Sequence, residues 1–143
     1  LTQMSVLRGK PKADVARKFV GVLSRDREGK PKTLVVPGSG GKQYHVIVRR
    51  FPGKKLVTLE CNLLTGACGM RPCAGNTHTL CYHVRAAFDY IVAEAGLNTA
   101  WCMDEIRAKQ VAKLHKGSQC YNVKSHQNGA QVCVVVFSRA AGK

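Results

Sequence analysis

The sequence predicts an α+β fold: a small antiparallel meander that delivers the chain to a clamped helix, followed by a C-terminal helix and β-hairpin. Three observations predict it. Between Gln43 and Cys61 apolar and polar residues alternate around a Pro52-Gly53 turn, the period of half-buried strands. From Val84 to Ala95 apolar residues recur at helical spacing, and the run opens on a knot of cysteine and histidine. Near the C-terminus, Asn128-Gly129 separates two apolar runs, the strongest short hairpin signal.

Taken in order, Leu1 to Lys10 shows no periodicity. Pro11 suits a first helical turn, and Val15, Phe19, Val20 and Leu23 then recur at helical spacing, so a helix is expected over about residues 11–24. Arg25 to Lys32, with Gly29 and Pro31, reads as a loop. Leu34-Val35-Val36 is a short strand, and the glycine-rich run from Pro37 to Lys42 is a turn without a phosphate-cradling pattern. Gln43–Phe51 and Leu56–Cys61 complete the meander. The helix from Val84 is stopped by Gly96. Leu97–Cys102 reads as a link carrying Trp101. Asp104 reads as the N-cap or a first-turn acid of a helix reaching about His115, and Cys120–Ser125 and Gln131–Ser138 are the hairpin strands. Val132–Phe137 is nearly continuous in apolar residues, which predicts cover on both faces or pairing with another chain.

The chemistry concentrates in Cys68-x4-Cys73-x7-Cys81-x-His83, three thiols and one imidazole within sixteen residues. Structural zinc takes four such ligands in a tetrahedron, and Cys₃His is one of its sets. Gly69 and Pro72 let the first two sulfurs turn toward one centre, and a helix N-terminus favours the thiolate of Cys81. One zinc held by Cys68, Cys73, Cys81 and His83 would clamp the helix onto the meander. Cys61, ending the third strand, rivals Cys73 for the second place, and His78 is a candidate supporting group. A closed four-ligand set with no carboxylate between Cys61 and Phe88 predicts a structural metal rather than a catalytic one.

Val57-Thr58-Leu59, a turn, Cys68, Cys73, and Cys81-x-His83 running into Val84-Arg85-Ala86-Ala87 resembles a SWIM zinc finger over about residues 33–96. In that family the order is strand, C-x-C, spacer, C-x-H, helix; here the first pair is expanded to C-x4-C. The resemblance implies DNA binding, DNA ahead of RNA, and protein–protein contact as part of larger assemblies. Residues 1–32 then form an N-terminal helix and loop, 33–98 the SWIM-like module, and 99–143 a helix-hairpin appendage.

Charge points the same way. Lys and Arg number 23 against 8 Asp and Glu, a net +15 in 143 residues, far more than solubility requires. Lys10, Lys12, Arg17 and Lys18 of the first helix, with Arg49, Arg50, Lys54 and Lys55 at the hairpin tip, are the expected phosphate-backbone contacts. Aromatic residues make up 6%, too few for a wide base-stacking platform, so backbone contact is favoured. The alternative is an assembly module whose C-terminal hairpin adds a strand to a partner. Seven cysteines, an odd number, fit a reduced intracellular metal protein better than a disulfide framework. No charged-then-apolar leader and no apolar run of about 18 residues is visible, so no membrane partner is expected. The eight carboxylates show no paired arrangement and no histidine has an orienting third group, so no enzyme activity is expected.

Overall fold

The computed structural model describes residues 10–65, 69–73, 80–102, 104–125 and 131–138. Its elements are α1 (Lys10–Arg17), β1 (Gly21–Arg25), β2 (Pro31–Pro37), β3 (Gln43–Phe51), β4 (Leu56–Leu64), β5 (Met70–Pro72), α2 (Tyr82–Glu94), β6 (Leu97–Cys102), α3 (Glu105–Ala112), β7 (Gln119–Ser125) and β8 (Gln131–Ser138).

The expected fold class is overturned. Of the described residues 47% are strand and 30% helix, so the molecule is a mostly β structure rather than a small α+β meander with additions. Seven strands run in one curled, mixed sheet of order β1-β2-β3-β4-β7-β8-β6, and β5 pairs with β4 off that path. The hairpin β7–β8 is not an appendage. β7 lies parallel to β4, Leu56 opposite Asn122 through Leu59 opposite Ser125, and the Asn122 N–H donates to the Lys55 carbonyl at 2.9 Å. No local pattern announces a parallel pairing across such a separation. Leu97–Cys102, expected as a link, pairs with β8 over all six residues.

The first helix is also shorter than its periodicity suggested. It ends at Arg17, where Phe19 and Val20 N–H groups close i−3 bonds to the Ala16 and Arg17 carbonyls. Val20-Gly21-Val22 is poor helix sequence, and Gly21 opens β1 instead. The buried face of α1 is Ala13 and Ala16; Val15, Phe19 and Leu23 are exposed. Small residues on the inner face let α1 lie close along α2.

α2 is consequently buried all round. Its seven residues from His83 to Asp89 are all buried, with the concave sheet on one side and α1 on the other. Val84, Ala87, Phe88 and Val92 meet Leu34, Val36, Val46, Leu59, Val123 and Val134 in the main core. Each large aliphatic side chain buried there is worth about 1.5–3 kcal/mol. β8 serves two cores by its period of two: Val134 and Val136 face α2, whereas Val135 and Phe137 meet Cys102 and Ala108 beneath α3. Both faces of this apolar strand are covered.

The β1–β2 turn is tied by Asp26, whose Oδ1 accepts from the Glu28 and Lys30 N–H groups at 2.9 and 3.0 Å. The Lys30 bond first, then the others, hold its carboxyl below the usual value of 3.8. A lowered acid stabilises above its unfolded value and ceases to do so as pH falls through its folded one. The turn is therefore expected to loosen on acidification below about pH 4. The Glu28 and Lys30 amide resonances should report this, and Asp26→Asn should remove the pH dependence.

Candidate metal centre

The sheet's one branch point builds this site. β4 carries two partners along the edge opposite β3: β7 against Leu56–Leu59 and β5 against Asn62–Leu64. Cys61 falls between the two pairings. Asn62 stands opposite Pro72, and one position on the Cys73 N–H donates to the Cys61 carbonyl at 2.9 Å. That bond sets the two cysteines across from each other. Cys61 is fully buried, opposite Val46 of β3.

The other half comes from α2. Cys81 is its N-cap residue, with extended backbone at φ −68°, ψ 156°, and His83 lies in the first turn. A C-x-H pair placed so aims both side chains back over the helix N-terminus. The ligand atoms of Cys61, Cys73, Cys81 and His83 all lie within 4.8 Å of one another. Cys73 Sγ and His83 Nδ1 are 3.8 Å apart. A tetrahedral metal with thiolate and imidazole ligands needs edges of roughly 3.5–3.8 Å, so this group fits one metal ion.

The thiols compete for protons. Hydrogen bonds from Cys61 and Cys81, with His83 alongside, hold Cys73 down toward the thiolate. Donation to Cys73, then to Cys81, and burial push Cys61 up. Cys61's hydrogen bond draws Cys81 down, but donation to Cys73 and burial outweigh it and push Cys81 up to about 12. A cation among the sulfurs would favour the thiolate form of all three.

The imidazole is fixed by stacking. Its centroid lies 3.7 Å from that of Tyr44, at 24°, and 4.0 Å from that of Tyr82, at 39°. Nε2 is buried and has no hydrogen-bond partner among the described residues. Gly38 passes so close that a Cβ there would lie 2.4 Å from Tyr44 Cε1 and 3.4 Å from Nε2. Tyr44, Tyr82 and the Gly38 backbone crowd the ring, whose Nδ1 lies 3.8 Å from Cys73 Sγ.

The expected ligands Cys73, Cys81 and His83 are thus brought together. Cys61 joins them, so the rivalry between Cys61 and Cys73 dissolves: both belong to the group. Cys68 and His78 lie outside the described residues. Sequence reasoning did not single out Tyr82 or Gly38. Tyr82 had a signal, an aromatic between the two ligands of the C-x-H pair, whereas Gly38 acts through a contact that local sequence does not encode.

The basic residues fall at two ends of the sheet. Lys12 of α1 lies 5.7 Å from the Tyr82 ring, next to the metal group. Arg17, at the end of α1, and Lys18 just after it border a cavity shared with Arg85 and Asp89. Arg49, Arg50, Lys54 and Lys55 sit at the far end, where Arg50 borders a pocket with Glu94 and Ala95 at the end of α2. Arg50 is spoken for: it donates to the Pro31 carbonyl at 2.8 Å and approaches Asp26 at 3.7 Å. The side chain of Lys10 lies outside what is described.

Comparison with known proteins returns no matching family, no similar curated protein and no similar solved structure. No helix among the described residues is long and apolar enough to cross a membrane.

Proposed function

We propose that this chain is a zinc-stabilised module that binds nucleic acid mainly through basic contacts to the phosphate backbone. The observation that carries the metal half is the Cys₃His group at the junction of β4, β5 and α2. Three sulfurs and one nitrogen suit zinc among the divalent metals. Four protein ligands with no carboxylate among them describe a closed, structural site, and the pair Cys81-x-His83 opens a helix after the strand that carries Cys61.

The net charge of +15 carries the nucleic-acid half. DNA is the favoured partner, with an accessory place in a larger assembly. Arg49, Lys54 and Lys55 extend from the β3–β4 turn with exposed side chains, Lys12 and Arg17 from α1, and Lys18 from just beyond its end. Arg50, committed to Pro31 and Asp26, supports the turn rather than reaching outward.

The test follows from that distinction. Arg49→Glu with Lys54→Glu leaves the Arg50 interactions intact. Each lost phosphate contact should lower the log–log salt slope by about 0.9 for duplex DNA, or about 0.7 for single strands. Affinity should fall nearly equally on all sequences, because backbone contacts position without specifying. Binding isotherms at several salt concentrations measure both. An unchanged slope removes these residues from the interface, and a wild-type chain that binds neither DNA nor RNA at low salt ends the nucleic-acid reading.

A further inference from the structure

The two end strands of the sheet are finished differently. β1 has two register shifts against β2, between Val22 and Ser24 and between Ser24 and Arg25. Its Arg25 is held in a two-pronged ion pair with Glu94 at 2.8 and 3.1 Å. Bulges and charges of this kind blunt a sheet edge. β6 has neither. Leu-Asn-Thr-Ala-Trp-Cys carries no charge and no proline, and pairs with β8 in unbroken register from Leu97 opposite Ser138 to Cys102 opposite Cys133. Among the described residues no strand pairs with its other side. In an antiparallel pair alternate residues turn their N–H and C=O away from the partner, so this edge offers a ready row of donors and acceptors.

A cavity of about 570 Å³ lies along it. Its wall includes every residue from Leu97 to Trp101. Successive strand residues point to opposite faces, so a cavity that touches five in a row follows the edge, not a face. Facing the strand are three cations: Arg17 of α1 and Lys18 just after it, both exposed, and Arg85 of α2, which is 7% exposed with its guanidinium 5.1 Å from the Trp101 ring. Asp14 and Asp89 also border the cavity. Asp89 Oδ1 already accepts from Thr99 Oγ1 and Trp101 Nε1, each at 2.9 Å.

We propose that β6 is a docking edge for an extended acidic segment of another protein. The segment would add a strand beside β6 through main-chain hydrogen bonds and set its carboxylates against Arg17 and Lys18. Five residues of strand span about 17 Å at roughly 3.3 Å each, which matches the stretch of β6 that borders the cavity. A nucleic-acid backbone would also be drawn to the cations, but it has no use for the strand's row of paired donors and acceptors. The hairpin β7–β8 cannot take this role, because each of its strands already has a neighbour on both sides. The proposal goes beyond the nucleic-acid reading and needs neither metal nor nucleic acid.

Trp101 is the chain's only tryptophan and borders the cavity, so its emission reports occupancy. The probe is a capped nine-residue peptide of alternating threonine and glutamate. Its comparators carry lysine for glutamate, or N-methyl groups on alternate amides. The acidic peptide should give a saturable change in Trp101 emission. Binding should weaken by roughly tenfold or more with either comparator, and likewise in the Arg17→Glu/Lys18→Glu variant, whose circular dichroism should be unchanged. Absence of a saturable change up to millimolar peptide overturns the proposal, as does equal binding by the lysine or N-methyl peptide. An oligonucleotide that saturates the signal where the acidic peptide does not would assign the groove to nucleic acid. A dimer of the free chain, with no peptide signal, would assign the edge to a second copy.

Discussion

Cys61→Ser is expected to leave the chain without its metal and unfolded from β4 to α2. Cys61 is the member of the possible metal group that β4 contributes, fully buried between the two strands that share β4's outer edge. Without it, Cys73 and the Cys81–His83 pair have no anchor in the sheet, and a buried hydroxyl replaces a soft sulfur. Structural zinc is worth about 10–16 kcal/mol in small zinc-finger peptides, whereas a whole domain is stable by only about 5–15 kcal/mol. Loss of the site therefore exceeds what the rest of the fold can absorb. Elemental analysis should give one zinc per wild-type chain and none for the variant, and thermal melting should lose its cooperative transition. Cys133→Ser is the control. Cys133 lies opposite Cys102, in the second core beneath α3, and its thiol donates to Asn122 Oδ1 at 3.4 Å. That variant should keep its zinc. Full zinc and a native melt for Cys61→Ser, with loss of both on Cys68→Ser, would restore the ligand set that the sequence alone proposed.

Gly38→Ala, a single methyl group placed outside the ligand set, should cost about 1–3 kcal/mol and lower metal affinity roughly tenfold to a hundredfold. The backbone at Gly38 has φ −112°, which alanine adopts freely, so the effect is one of space. The new Cβ would fall 2.4 and 2.9 Å from two carbons of the Tyr44 ring. Tyr44 cannot retreat without pushing the imidazole it stacks on, 3.7 Å away, off its line to the sulfurs. Gly21→Ala, where nothing lies within 4 Å, should change neither quantity. A double-mutant cycle with Tyr44→Ala separates the routes. If the methyl group acts through the ring, the two effects will be strongly non-additive; simple addition would show that Gly38 acts elsewhere.

The parts of this site that could be read in the sequence are those set by local spacing. Cys81-x-His83 opening an apolar-periodic run is a helix-start signature, and both residues stand at the N-terminus of α2. Cys61 enters through register: its place depends on β5 taking over from β7 along one edge, and on Cys73 closing onto its carbonyl. The fold class failed for the same reason. Two short strands, β1 and β6, lack strong alternation, and the link from β4 to β7 is between residues whose sequences carry no mark of each other. The run Val15–Leu23 misled in a more particular way. Its helical spacing continues across Gly21, where the chain has already changed to strand, and the residues that pack α1 are the small alanines at 13 and 16.

The parallel pairing of β4 with β7 sets the order in which the molecule can be made. Leu56 waits for Asn122, 66 positions later in the chain. At a synthesis rate of about 5–20 residues per second that is a delay of roughly 3–13 s, with β4's edge uncovered throughout. Contacts so distant in sequence are also slow to form in the complete chain. The four residues that could hold a metal ion, by contrast, all lie between residues 61 and 83. Closed on a metal early, they would hold β3, β4, β5 and the start of α2 in register on the nascent chain until the C-terminal strands arrive. On the proposed reading, zinc would act as a timer as well as a brace. Chains made in its absence would lack that brace while the Leu56–Leu59 edge of β4 stays open, which is the interval in which aggregation begins.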